Sequence, residues 1–158
     1  MNEIFSYLGI HLSETLLQMR KFLSNEFETN RVGMRFEEWI QLIPLMEKES
    51  LNQKTLSDRL AKDKTTISRL VDGWVKKGWV KRIQSSEDKR SFSLKLTTKG
   101  KSVWEKGIPV VKEADLVFKK NLSEENEKEL FVTLFKIQTS IQFSETKNVP
   151  FENYPKPS

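Results

Sequence analysis

The stretch from Thr65 to Gly100 constrains the fold of this chain more than any other part of its sequence. It opens with apolar residues at helical spacing, which are Ile67, Leu70, Val71, Trp74 and Val75. Two short segments with the pattern of strands follow, at residues 79–84 and 92–96, and the second alternates apolar with polar residues. The seven residues between them are polar. The stretch therefore predicts a helix followed by a β-hairpin with a long charged loop.

The rest of the chain is predicted to be helical. Apolar residues at three- and four-residue steps predict helices over residues 4–27, 36–48, 52–60 and 99–120, and a last helix that starts after Ser123. Asn52 and Asp63 are suitable N-caps, and Pro44 predicts a kink or an early end in its helix. Residues 144–158 contain three prolines and no periodicity, so we expect a flexible tail.

Two helices joined by a short turn and followed by a hairpin are typical of a winged helix-turn-helix. Residues 36–100 are predicted to form this unit, with the candidate recognition helix at residues 64–77. The predicted fold class is mainly α with a small β-hairpin wing. Residues 1–35 and 101–143 are predicted as flanking helices, whose apolar stripes suggest burial against a partner.

Positive charge is concentrated in the middle of the chain. Residues 51–101 carry 14 Lys and Arg against 5 Asp and Glu, although the whole chain has a net charge of only +5. Such asymmetry suggests that the middle of the chain meets a polyanion. A basic surface that is merely solvated is the alternative, and charge alone does not decide between the two.

Several classes of function find little support in the sequence. No run of about 18 apolar residues predicts a membrane span, and the first residues do not resemble a signal peptide, so we expect a cytoplasmic protein. Cysteine is absent and His11 is the only histidine, so we expect neither a metal site nor thiol chemistry. No glycine-rich phosphate loop or GxSxG motif suggests an enzyme or a cofactor.

The helix at residues 64–77 has a polar leading edge that suits the major groove of DNA. We expect five of its residues to contact double-stranded DNA: Lys64, Thr65, Thr66, Ser68 and Arg69. An amphipathic helix with a solvated face is the alternative interpretation. The hairpin loop, residues 85–91, favours the first interpretation, because Lys89 and Arg90 lie at its tip. An arginine gains from the negative potential of a narrow minor groove, and Asp88 can orient it.

The combination of motifs in this region resembles the MarR family of bacterial winged-helix transcription regulators. The motifs are Lys76-Lys77-Gly78, Trp79-Val80, Lys81-Arg82, Asp88-Lys89-Arg90 and Leu96-Thr97-Thr98-Lys99-Gly100. With the flanking helices, the resemblance covers about residues 4–143.

The resemblance implies a homodimer formed by the first helix and the last two. It also implies a pseudo-palindromic operator, with the recognition helix in the major groove and the wing in the minor groove. By this analogy Arg90 is the wing arginine and Asp88 is the residue that orients it. Many members of the family are repressors that small phenolic or lipophilic ligands release from DNA.

Two further hypotheses follow. An effector that is a small apolar anion would bind in a cleft between the dimer helices and the winged unit, where His11, Trp39 and Trp104 are candidate lining residues. Such residues more often belong to a protein core. The alternative function is a winged-helix module that binds proteins and does not read a DNA sequence.

Overall fold

The computed structural model describes residues 7–48, 50–84 and 92–147. These residues form seven helices and three strands. Their bounds are α1 Leu8–Thr29, α2 Phe36–Gln41, α3 Ile43–Glu47, β1 Leu51–Asn52, α4 Gln53–Leu60, α5 Lys64–Lys76, β2 Val80–Gln84, β3 Phe92–Leu96, α6 Thr98–Lys119 and α7 Glu124–Lys147. The predicted class, mainly α with a small hairpin sheet, is confirmed. The chain divides between Ala114 and Asp115 into two compact units.

The helix predicted over residues 36–48 is broken into α2 and α3. Leu42 lies between them, and its backbone N–H bonds to the carbonyls of Glu38 and Trp39, both at 3.2 Å. Pro44 occupies the first turn of α3, where its missing N–H costs no helical hydrogen bond. The early end that the proline predicted is therefore confirmed.

Helices α4 and α5 form the helix-turn-helix. The side chain of Asn52 accepts a hydrogen bond from the Thr55 backbone N–H at 2.8 Å, which confirms Asn52 as the N-cap of α4. Ala61 follows α4 in a left-handed conformation, with φ 48°. The Ser57 hydroxyl donates to the Lys62 carbonyl at 2.5 Å. These contacts fix the short turn that leads into α5.

The three strands form an antiparallel sheet in the order β1-β3-β2. Leu51 of β1 pairs with Leu94, and the β2–β3 ladder runs from Val80 opposite Leu96 to Gln84 opposite Phe92. Leu94 and Leu96 are buried as predicted, whereas Phe92 is 43% exposed because it lies at the end of the ladder, beyond the core. Strand β1 was not predicted, since two residues carry no periodicity and depend on β3 for pairing.

The core of the winged unit is apolar. Its fully buried side chains include Leu42, Leu56, Ile67, Val71, Trp74 and Leu94. A second group of aromatic rings joins α1 to α2, where Phe27 packs edge-on against Phe36 and Trp39 at centroid distances of 5.4 and 5.8 Å.

Helix α6 begins at a cap that Thr97 provides, because the Gly100 backbone N–H donates to the Thr97 hydroxyl at 3.0 Å. Ser123 caps α7 in the same way, accepting from the Asn126 N–H at 3.2 Å. The predicted start of the last helix after Ser123 is confirmed. Helix α7 continues to Lys147, so residues 144–147 of the predicted tail are helical. Helix α7 extends beyond the predicted start of the tail at residue 144. The three prolines of the tail, which disfavour helix, all come after Lys147 in the sequence. Residues 148–158 lie outside the described part of the chain.

In the second unit, Lys119 links the end of α6 to the first turn of α7. Its ammonium contacts Asp115 and Glu127, both at 2.6 Å, and lies over the ring of Phe131. The hydrogen bonds that Lys119 donates to Asp115 and to Glu127 raise its pKa above the ordinary value. None of the helices in the described ranges is long and apolar enough to cross a membrane.

Candidate nucleic-acid interface

The first turn of α5 is organised by Asp63. Its carboxylate accepts the Thr66 backbone N–H at 2.9 Å and the Thr66 hydroxyl at 2.5 Å. The side-chain hydrogen bond from Thr66, followed by the backbone one, lowers the pKa of Asp63 from its ordinary value of 3.8. The helix therefore starts at a defined residue with a charged cap.

The predicted DNA-contacting residues of α5 lie on its outward side. Lys64, Thr65, Thr66 and Arg69 are exposed and Ser68 is half-buried. Ile67, Val71 and Trp74 are buried on the opposite side, so the helix is anchored by one face and presents the other. The Thr66 hydroxyl already donates to Asp63. It can therefore only accept hydrogen bonds from a DNA ligand.

The end of α5 leads into β2 through a Schellman turn. The Gly78 N–H bonds to the Val75 carbonyl and the Trp79 N–H to the Trp74 carbonyl, both at 2.9 Å. Gly78 has φ 72°, the left-handed conformation that its position predicts. The Thr97 hydroxyl donates to the Gly78 carbonyl at 2.6 Å. Hydrogen bonds to backbone groups thus fix the turn through which the chain passes from α5 into β2.

Strands β2 and β3 flank the predicted wing in the sequence. Residues 85–91, with Asp88, Lys89 and Arg90, lie outside the described residues, so their roles stay predictions. At the base of the hairpin, Arg82 of β2 contacts Asp72 of α5, with Nη2 and Oδ1 2.7 Å apart. No spacing rule pairs these two residues in the sequence, because the contact joins two separate elements.

A cavity of about 890 Å³ lies beside the end of α5, within the first unit. Its walls include Phe27, Phe36, Trp79 and the basic residues Arg31, Arg35, Lys76, Lys77 and Lys99. The carboxylate of Glu38, a residue only 7% exposed, forms an ion pair with Lys77 and a longer one with Arg35 at 3.4 Å. The Lys77 ammonium also lies 4.5 Å from the Trp79 ring centroid. This cluster ties the end of α5 to α2.

The residues predicted for an effector pocket do not line this cavity. Trp39 and Trp104 come together as a stacked pair, with centroids 4.7 Å apart and an interplanar angle of 3°. Each indole N–H donates to the other residue's carbonyl, at 2.7 and 3.1 Å. His11 is exposed on α1, sixteen residues before Phe27, which corresponds to about 24 Å along a helix. The three residues therefore do not surround one site within a single chain.

Metal binding finds no geometric support in the described ranges, since no three His, Cys, Asp or Glu side chains there are grouped to hold an ion.

Comparisons with known proteins agree with this geometry. A family model described as MarR family matches residues 32–91. The chain is 30% identical to the transcriptional repressor MprA of Escherichia coli over 112 residues, covering 68% of this chain and 64% of MprA. It is 30% identical to the HTH-type transcriptional regulator BilQ of Clostridium symbiosum over 96 residues, covering 61% and 67% of the two chains. The chain spans about half to two thirds of the length of the curated relatives it matches.

The fold is also shared with solved structures. The crystal structure of a mutant MarR from E. coli complexed with operator DNA superposes with a TM-score of 0.75 at 24% identity, covering 82% of this chain and 92% of that one. At this identity the likeness concerns the fold. Together with the matching family model and the identity to MprA and BilQ, it leads to one conclusion: the chain belongs to the MarR family.

Proposed function

We propose that this protein is a homodimeric transcriptional regulator, acting as a repressor, that binds double-stranded DNA at a pseudo-palindromic operator. Helix α5 enters the major groove and the wing at residues 85–91 enters the adjacent minor groove. Such a role places the protein in the bacterial cytoplasm. Relatives named as repressors, such as MprA, support the repressor assignment.

The observation that carries this proposal is the outward face of α5. Its hydroxyl and basic side chains are presented on a helix whose other face buries Ile67, Val71 and Trp74. A rigid helix of this kind can place short polar groups against base edges, which a solvated helix on a flexible segment cannot do. The positive charge of residues 51–101 adds attraction to the phosphates.

Dimerisation is supported by exposed apolar residues in both units. Helix α1 exposes Leu8 at 58% and Leu17 at 70%. Helix α7 exposes Phe131 at 59%, Phe135 at 68% and Ile141 at 53%. Several large apolar side chains exposed on one helix are typical of surfaces that a partner covers. A second copy of the chain is the partner that a two-fold symmetric operator requires.

The cavity beside α5 supports regulation by a small ligand. Its volume of about 890 Å³ lies in the range typical of ligand sites, and its walls combine aromatic rings with five basic and three acidic residues. An aromatic carboxylate bound there would compete with Glu38 for Lys77 and so shift the end of α5. Salicylate added to a protein–DNA complex should then lower the DNA affinity and change the fluorescence of Trp79. No change in either signal would argue against this ligand class.

A module that binds proteins through the same fold is the alternative. Fluorescence anisotropy on the DNA upstream of the protein's own gene separates the two functions, with scrambled DNA as the control. We expect preference for the upstream DNA and an affinity that falls by about 10³-fold or more between about 50 and 200 mM salt. Absence of binding to any DNA, even at low salt, would favour the protein-binding module.

A further inference from the structure

The contact between Asp72 and Arg82 lies on the face of the molecule that is proposed to meet DNA. Asp72 follows Thr65 by seven residues, two helical turns along the outward side of α5. Its carboxylate is 60% exposed. A negative charge there repels the phosphates of a bound duplex. The residue therefore opposes binding unless it contributes something else.

The geometry of the contact indicates what that contribution is. The Schellman turn at Gly78 already joins α5 to β2 at one point. Asp72 lies six residues before Gly78, about 9 Å along the helix axis, and Arg82 lies four residues after it, about 13 Å along the strand. The contact between Oδ1 and Nη2 at 2.7 Å closes a triangle between helix and strand, which fixes the angle between them.

The pair contributes little to the stability of the fold. Both side chains are substantially exposed, at 60% and 32%, and exposed ion pairs are weak because water screens them. The angle between α5 and β2 has a larger consequence for DNA binding, because α5 is proposed to enter one groove of the duplex and the loop that follows β2 to enter the adjacent groove. If the angle is already fixed in the free protein, DNA binding loses less conformational entropy in ordering the two elements.

We infer that Asp72 and Arg82 are positioning residues, which set the angle of the recognition helix relative to strand β2 for sequence-specific DNA binding. This inference rests on the proposed function. For the effect of Asp72→Asn on DNA affinity, the inference predicts the opposite direction from simple electrostatics. Asp72→Asn removes a negative charge from the DNA-facing side, so charge alone would tighten binding, whereas loss of positioning weakens binding to the operator.

The test compares Asp72→Asn, Arg82→Gln and the charge swap Asp72→Arg/Arg82→Asp with the wild type. Each is measured by anisotropy on the specific duplex that the wild type binds best and on a scrambled duplex. Glu47→Gln is the matched control, because Glu47 contacts Arg59 at 2.5 Å with side-chain exposures of 48% and 42%. It removes the same charge from an exposed pair elsewhere. Thermal midpoints are measured for all variants.

We expect Asp72→Asn to weaken binding to the specific duplex by roughly fivefold, with unchanged or tighter binding to scrambled DNA. The charge swap should recover much of the loss, and Glu47→Gln should show none. Equal or tighter binding of Asp72→Asn to the specific duplex would overturn the inference alone. So would a fall in thermal midpoint with equal losses on both duplexes. A wild type without sequence preference would instead refute the proposed function, and this inference with it.

Discussion

At the scale of single residues, the side chains that define α5 act through short hydrogen bonds to the backbone. Asp63 caps the helix, and its folded-state pKa is lowered by the hydrogen bonds from Thr66. A carboxyl with a lowered folded pKa contributes stability that is complete above its unfolded value of 3.8. That contribution is lost as the pH falls through the lower folded value.

The first prediction concerns the pH dependence of this cap. Asp63→Asn keeps an acceptor for the Thr66 N–H but cannot titrate. We expect the wild type to lose its stability advantage over Asp63→Asn as the pH falls from above 3.8 through the lower folded pKa of Asp63. Thermal denaturation followed by circular dichroism across this range measures the difference. A constant difference between the two proteins would contradict the assigned cap.

The second prediction compares two glycines in helices. A Cβ at Gly107 would lie 2.7 Å from Trp39 Cδ1 and 2.9 Å from Phe27 Cζ, whereas a Cβ at Gly73 would meet nothing within 4 Å. Gly107→Ala should therefore destabilise the protein by about 1–3 kcal/mol. Gly73→Ala should stabilise it by about 0.5–1 kcal/mol. Urea denaturation measures both, and equal effects would contradict the packing of the Trp39–Trp104 pair.

At the scale of elements, strong local signals could be predicted and contacts between elements could not. Helix α5 was predicted to within one residue, because its apolar period, its Asp63 cap and its terminal Gly78 agree. The division at Leu42 followed from Pro44. Strand β1 was missed because its existence depends on pairing with β3. The Trp39–Trp104 stacking and the Asp72–Arg82 contact join separate elements, where periodicity carries no information.

The third prediction tests the wing. If Arg90 enters the minor groove, Arg90→Ala should weaken operator binding and reduce the slope of log affinity against log salt by about 1. Anisotropy titrations at several salt concentrations measure both quantities. Arg20→Ala on α1 removes the same charge away from the proposed interface and should have little effect. Wild-type affinity of Arg90→Ala would contradict the wing assignment.

At the scale of the whole molecule, large apolar side chains on α1 and α7 are not buried by contacts within a single chain. The sequence indicated burial of the terminal helices from their wide apolar stripes. The structure leaves large side chains on α1 and α7 exposed within one chain. Which residues face a partner could not be predicted, because a helical stripe does not distinguish an internal core from an interface.

The fourth prediction follows from the exposure of Phe135. Phe135→Glu should convert the proposed dimer into a monomer, since it places a charge in an apolar interface. Loss of the second half-site contact should weaken operator binding by about a hundredfold. Light scattering after size-exclusion chromatography gives the mass. Lys136→Glu, on the same helix, is the control that should remain dimeric. A Phe135→Glu protein that is still dimeric would exclude this face from the interface.

The most direct test of the account is selection of binding sites from a randomised duplex pool, with wild type and Arg69→Ala in parallel. We predict that the wild type enriches an inverted repeat whose half-sites lie about one helical turn apart. We also predict that Arg69→Ala relaxes the preference at one position in each half-site, at a cost of about 1–3 kcal/mol. A wild type that enriches no sequence at low salt would contradict the central claim that α5 reads DNA.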